Sequence, residues 1–232
     1  MVSNCTQTHA RQFDFFRIIF ALEKLANGST NNTHFHGRDN NHMTNTATEI
    51  QPQTSSNIST WNLDPAHTVA EFKVKHMMIA NVKGYFSRIS GVLTLDESNL
   101  ANSRVEASIE AASIETRDGQ RDAHLKSADF FHVEKFPTLY FKSTGVSIAG
   151  DGESSVEGDL TIRGVTRPVR FEVEGPTPPT KDPWGNTRVA ISAGAKINRK
   201  NFGLTWNTAL ETGGILVGDD VNITLEAEFV KA

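Results

Sequence analysis

The chain is expected to be all-β, an antiparallel sheet of about eight strands, and three observations carry that expectation. Apolar residues recur at every second position over most of the chain after Trp61. Gly, Asp and Pro punctuate those runs, and nowhere does a strand pattern alternate with a helix in the manner of a parallel sheet. Strands that are polar on one face and joined by short links close into a barrel or split into a sandwich; periodicity alone does not choose between the two.

In chain order, Ala70, Phe72, Val74 and His76 alternate with Glu71, Lys73 and Lys75, which gives the first of these strands one apolar face. A long segment from Val82 to Leu95, containing Phe86, follows. Next, Val105, Ala107, Ile109 and Ala111 alternate with Arg104, Glu106, Ser108 and Glu110, and Leu139 with Phe141 marks another strand. The same period returns in Val156-Gly158-Leu160-Ile162 and Val169-Phe171-Val173. It returns twice more, in Val189-Ile191-Ala193-Ala195-Ile197 and in Val221-Ile223-Leu225-Ala227-Phe229. Gly150-Asp-Gly152 and Gly164-Val-Thr-Arg-Pro168 read as hairpin connections. The loop from Gly175 to Gly185 holds four prolines, which cannot donate within a sheet.

One stretch beyond residue 60 has helical composition, Asp118-Gly-Gln-Arg-Asp-Ala-His-Leu-Lys-Ser127. Asp118 suits an N-cap and Ser127 a break, giving a short helix of a turn or two. Asp122 and Lys126 stand at i and i+4 as an exposed pair, whereas Leu125 and the following Phe130 and Phe131 need an apolar surface. Such a segment fits a cover over the mouth of a barrel, with its histidines and acids solvated.

The inward set mixes Ala70, Ala107, Ala111, Gly158, Ala193, Ala195 and Ala227 with large aromatics. Small inward residues leave volume for one apolar ligand, unless bulky neighbours fill it. Catalytic and metal chemistry is not expected. His124 and His132 are eight residues apart across the break at Ser127, unlike the i, i+4 pair of a zinc helix. His67 and His76 are isolated, and there is no Gly-x-Ser-x-Gly or phosphate-binding loop. No cofactor is implied.

Composition narrows the partners. A net charge of -4, with 23 Lys and Arg among 27 Asp and Glu, offers no basic stripe for nucleic acid. The single cysteine, Cys5, precludes an internal disulfide framework. No apolar run approaches the roughly 18 residues of a membrane span, and Phe13 to Lys24 is broken by Asp14, Arg17 and Glu23. Neither signal peptide nor anchor is read, so a cytoplasmic location is expected. Residues 1–57 are rich in Asn, Thr, Ser and Gln and read as a disordered polar extension to a domain at 58–232. Its His34, His36 and His42 read as solvated side chains, and a true start at Met43 would leave a chain of 190 residues.

Five segments in order resemble the YceI-like family of lipocalin-like, polyisoprenoid-binding proteins. They are Trp61-x-Leu-Asp-Pro-x-His-Thr-x-x-x-Phe-x-Val-x-His-Met77, Val82-x-Gly-x-Phe86, Arg121-Asp-x-His-Leu-x-Ser-x-Asp-Phe-Phe131 with Phe136-Pro137, Gly158-x-Leu-Thr-Ile-x-Gly-Val-Thr-Arg167, and Asn198-Arg-Lys-x-Phe-Gly-Leu-x-Trp206. The resemblance implies a lipocalin-like antiparallel β-barrel of about eight strands with a short helix near the mouth. It implies non-catalytic binding or transport of a polyisoprenoid, quinone-like or fatty-acyl chain, and it allows a periplasmic location. The lining would come from Ala70, Phe72, Val74, Phe86, Ala107, Ile109, Phe141, Leu160, Phe171, Ile191 and Ala193, with Leu125, Phe130 and Phe131 from the cover and Phe202 and Trp206 from the last segment. His76, Arg199 and Asn201 would meet the polar head. A solid-core barrel acting as a protein-interaction or stress-response module is the rival reading, and an enzyme acting on a lipid in the cavity is another. Self-association as a homodimer stays open.

Overall fold

The computed structural model describes residues 57–149, 154–211 and 213–232. The expectations for the polar extension, its histidines, Cys5 and Met43 lie outside the described residues. Two strands that follow one another, β1 (Ile58–Leu63) and β2 (Val69–His76), lie in succession along the C-terminal strand β12 (Val217–Lys231): Leu63 pairs with Phe229, and Val69 with Glu226. The turn between them is held by Asp64, whose side chain accepts from the Ala66 N–H.

The single long strand expected from Val82 to Leu95 is two, β3 (Ala80–Phe86) and β4 (Ile89–Asp96). Between them the Ser87 hydroxyl donates to the Ser113 carbonyl and the Arg88 N–H donates to Ser113 Oγ. These bonds turn the chain, so that β3 pairs with β2 and β4 with β1. There follow β5 (Arg104–Glu110), a two-residue β6 (Ile114–Glu115) on β3, β7 (Thr138–Ile148), β8 (Ser154–Ile162), β9 (Val165–Glu174), a two-residue β10 (Thr180–Lys181) and β11 (Thr187–Asn198). The pairings β1–β4–β5–β7–β8–β9–β11–β12–β1 form a closed ring of eight antiparallel strands, which removes the sandwich alternative.

The β8–β9 link is a two-residue turn, Arg163 and Gly164, both left-handed at φ 52° and 73°. Val165 to Pro168, expected as part of that connection, already belongs to β9. Pro168 is tolerated there because β11 pairs with β9 only from Glu172 onward.

Two apolar clusters bracket the interior. One, at the end of β1, contains Trp61, Leu93, Leu95, Val189 and Phe229. The other, larger, contains Phe86, Ala111, Ile114, Phe130, Leu139, Leu160, Ile162, Ile197, Phe202 and Leu204. The expected helix is present as α1 (Gly119–Lys126). Asp118 accepts from the N–H groups of Gln120 and Arg121, and Ser127 ends it.

Candidate functional site: an apolar lumen under an aromatic cover

Between the two clusters the barrel encloses a cavity of about 290 Å³. On β11 its wall runs from Ile191 to Ile197, about 20 Å at the usual strand rise. The alternation that makes each strand amphipathic turns Ala70, Phe72 and Val74 of β2 toward it, with Phe86 of β3 and Ala107 and Ile109 of β5. Phe141 (β7), Leu160 (β8), Phe171 (β9) and Ile191 with Ala193 (β11) complete the expected strand lining. Residues that the sequence reading left out of the site also line it, among them Leu93, Leu95, Leu100 and Pro176. Leu93 and Leu95 carried the period-two signal. Leu100 and Pro176 come from connections, where no period exists to mark an inward side.

Not every small inward residue contributes volume. A Cβ at Gly158 would collide with the Phe141 ring, and one at Gly84 with the Phe72 ring, so those rings occupy the space the glycines vacate. Ala111 is completely buried within the larger cluster. The free space lies along Ala70, Ala107, Ala193 and Ala227.

The cover is built from α1 and the segment after it. The Phe131 N–H donates to the Leu125 carbonyl at 3.0 Å and the Val133 N–H to the Lys126 carbonyl at 3.1 Å, which folds the segment back on the helix. Leu125, Phe130 and Phe131 face the lumen, and Phe131 meets Phe86 edge-on at 5.8 Å. Arg163 ties the cover down, donating to the carbonyls of Ala128 at 2.8 Å and Gly203 at 2.7 Å. Two expectations for this stretch need correction. Asp122 accepts from Thr116 Oγ1, which also takes a bond from Arg121 Nε, so Asp122 serves the loop before the helix instead of pairing with Lys126. His124 is not simply solvated: its ring stands edge-on to Phe130 at 5.1 Å and to Trp206 at 4.7 Å, with Nε2 2.8 Å from Asp129.

The expected polar mouth is not assembled. Arg199 touches the wall, yet its guanidinium is buried and aimed at the main chain. Nε donates to the Gly218 carbonyl at 2.9 Å, and Nη1 donates to those of Leu204 at 2.6 Å and Trp206 at 2.9 Å. Burial pulls its pKa below the ordinary arginine value, and Asp219 opposes that shift. His76 ends β2 beyond the wall, and Asn201 is exposed on the turn after β11, its carbonyl accepting from Arg167 Nε. Phe202 is packed into the larger cluster, off the wall, and Trp206 lies across Phe130 at 5.2 Å, on the cover and off the wall.

Most of the other polar side chains near the lumen are engaged elsewhere. Tyr140 donates to Glu106, Glu71 pairs with Lys83, and Arg104 donates to the carbonyls of Ala101 and Ser103. Among the described residues no buried side-chain nitrogen or oxygen lacks a hydrogen-bond partner. The wall therefore presents hydrocarbon almost throughout. At the opposite end Asp64, His67 and Glu228 converge closely enough to suggest a cation site. Arg188 already fills it, with Nη1 on Asp64 and Glu228 and Nε on Asp182 at 2.7 Å, and this guanidinium holds the Asp64 carboxyl far below the usual range.

The YceI-like domain profile matches residues 61–229, the whole ring but for its outermost ends. The chain belongs to the YceI-like family. A UPF0312 protein of Staphylococcus aureus (strain MSSA476) is 38% identical over 173 residues, covering 74% of this chain and 98% of its own. Among solved structures, the Campylobacter jejuni YCEI protein is 30% identical at a TM-score of 0.55, covering 68% of this chain and 90% of its own. Burkholderia cenocepacia BcnA, 22% identical, shares the fold at a TM-score of 0.61 over 72% of this chain and 98% of its own. So does a polyisoprenoid binding domain from Saccharophagus degradans, 11% identical, at 0.53 over 74% and 98%.

Proposed function

We propose that this YceI-like barrel binds one apolar chain in its lumen and carries it, without bond-making chemistry. The observation that supports this is the wall itself: a long cavity of about 290 Å³ whose side chains offer hydrocarbon almost throughout. Burying on the order of 400 Å² of ligand hydrocarbon at roughly 25 cal/mol/Å² is worth about 10 kcal/mol before association costs, so lining alone suffices for affinity. Recognition then rests on length and shape, which suits an isoprenoid, quinone-like or fatty-acyl chain. The fold shared with a polyisoprenoid binding domain favours the isoprenoid. The binding unit is Ile58 to Ala232, and the space along the small inward residues speaks against the solid-core alternative. Native mass spectrometry of freshly purified protein tests the reading: a bound species of lipid mass is expected, and protein that carries none and takes up none from a detergent-solubilised isoprenoid alcohol would overturn it.

A further inference from the structure

The hairpin joining β2 to β3 is unusual in composition and in backbone. Its tip is Met77-Met78-Ile79, 39%, 58% and 80% exposed, three apolar side chains in succession held out from the sheet. Met77 and Met78 both have left-handed φ angles, 50° and 60°, and the Ile79 N–H closes the turn on the His76 carbonyl at 3.1 Å. Asn-Gly adopts that turn at low cost, whereas two methionines adopt it against a steric penalty. A solvent-facing turn gains nothing in stability from these residues.

Behind the tip the outward face of the hairpin is basic. Lys73 lies directly opposite Lys83, and Lys75 opposite Asn81, one register nearer the tip. Lys83 reaches Glu71, but among the described residues neither Lys73 nor Lys75 forms an ion pair, and like charges facing one another across a ladder destabilise it. The acids nearby, Asp219 and Asp220, are paired with Lys200 and Lys196, and Glu211 is exposed on the neighbouring loop.

The tip stands at the covered end of the barrel. Its Met77 N–H donates to the Leu216 carbonyl, Asn207 bonds both main-chain groups of Val217, and Trp206 of the same segment packs on Phe130 of the cover. The inward residues of the hairpin, Phe72 and Val74, are lumen wall, and Val74 is two residues, roughly 7 Å, from the end of β2 at His76.

We propose that Met77-Met78-Ile79 is an insertion wedge that docks the covered end of the barrel on an anionic lipid bilayer, with Lys73, Lys75 and Lys83 facing the headgroups. Apolar side chains enter the interface and the lysines follow over the next roughly 7 to 13 Å of hairpin, Lys75 first and then Lys73 and Lys83, the pairing of buried apolar area and electrostatic attraction that interfacial anchors use. The inference rests on the lumen reading, since an apolar cargo is drawn from a membrane and not from water.

Flotation with phosphatidylcholine vesicles, with and without phosphatidylglycerol, tests it on the full chain. Wild type should float with the anionic vesicles and poorly with the neutral ones. Met78→Asp/Ile79→Asp should reduce flotation at least about tenfold, and Lys73→Gln and Lys75→Gln about fivefold each, the worth of one basic residue near an anionic surface. Both sets should keep the wild-type melting curve and still load an isoprenoid alcohol delivered in detergent. Wild type that fails to float, or tip variants that float normally, would overturn the wedge even if the lumen fills. Wild type that floats while no lipid enters from any source would leave the wedge standing and sink the lumen reading instead. A tip variant that floats normally yet loses a co-purifying protein would assign the patch to a protein partner and overturn the proposal.

Discussion

Replacing Arg199 with Met separates two roles that the same residue could play. If Arg199 greets a polar head at the mouth, its loss lowers ligand affinity and leaves the fold alone. The structure assigns it otherwise, because its guanidinium bonds the carbonyls of Gly218, Leu204 and Trp206 and so ties the start of β12 to the segment after the β11 turn. Methionine fills much of the same volume but leaves those three carbonyls without that donor, and a fourth, that of Val217, with Asn207 Nδ2 alone, in a region where Arg199 is 4% exposed and Leu204 is 5% exposed. At about 1 to 3 kcal/mol for each buried group left unpaired, and allowing for water reaching the Trp206 carbonyl, the loss is about 4 kcal/mol. For a domain of this size that lowers the thermal midpoint by about 10 °C. Thermal unfolding followed by circular dichroism, with lipid uptake measured well below the transition, reads both roles. An unchanged midpoint with lost uptake would refute the structural assignment and restore the headgroup role.

Three further outcomes are expected. Ala107→Trp or Ala193→Trp should abolish lipid uptake with little loss of stability, because the added rings enter open lumen; native mass spectrometry with a melting curve checks both, and severe destabilisation with uptake intact would mean a packed core. Phe131→Ala should speed ligand release in a stopped-flow displacement assay, and His124→Ala should do so more weakly, since His124 supports Phe130 and Trp206 from behind; an inert His124 would show that the edge-on contacts do not hold the cover. Hydrogen bonds from Ser98 and Asn102 hold Asp96 at about 2, and Asp182 is also at about 2, held there against burial by Arg188 and Asn186. Both folded values lie below the unfolded value of about 3.9, so the stability they add is complete above about pH 4 and lost as pH falls toward 2. The thermal midpoint should fall across that window, and Asp96→Asn should flatten the fall.

The strands were legible because a half-buried strand writes its burial directly into sequence at period two. Ala70 to His76 and Val189 to Ile197 needed no other information. What failed were the boundaries. Val82, Gly84 and Phe86 face inward at even positions and Ile89, Gly91, Leu93 and Leu95 at odd ones, so the period slips across Ser87 and Arg88; reading one long strand passed over that slip, and the bonds to Ser113, some 25 residues away, hold the turn between β3 and β4. Val165 to Pro168 looked like a turn because Pro normally marks one, but the criterion is whether a ladder bond is needed there, and the short β9–β11 pairing means that it is not.

The lumen was legible to the same depth, and the mouth was not. Counting small inward residues locates empty space only if nothing else claims it, and Gly158 and Ala107 show both outcomes on the two strands that flank β7. Phe141 is cross-strand partner to Ala107 on one side and to Leu160 on the other, and its ring swings over Gly158, two residues from Leu160, where a Cβ would block it. Gly158 thus sets the position of the Phe141 ring, and Ala107 remains open lumen as a consequence. The polar residues deceived for a related reason. Arg199 and Asn201 follow directly on an inward strand, where a charge reads as a mouth group. An irregular turn, however, has carbonyls that no ladder satisfies, and a buried guanidinium with five donors is the side chain best able to satisfy several at once. A charge beside a lumen is therefore assigned by first counting the main-chain acceptors within its reach, and only the donors left over can recognise a ligand.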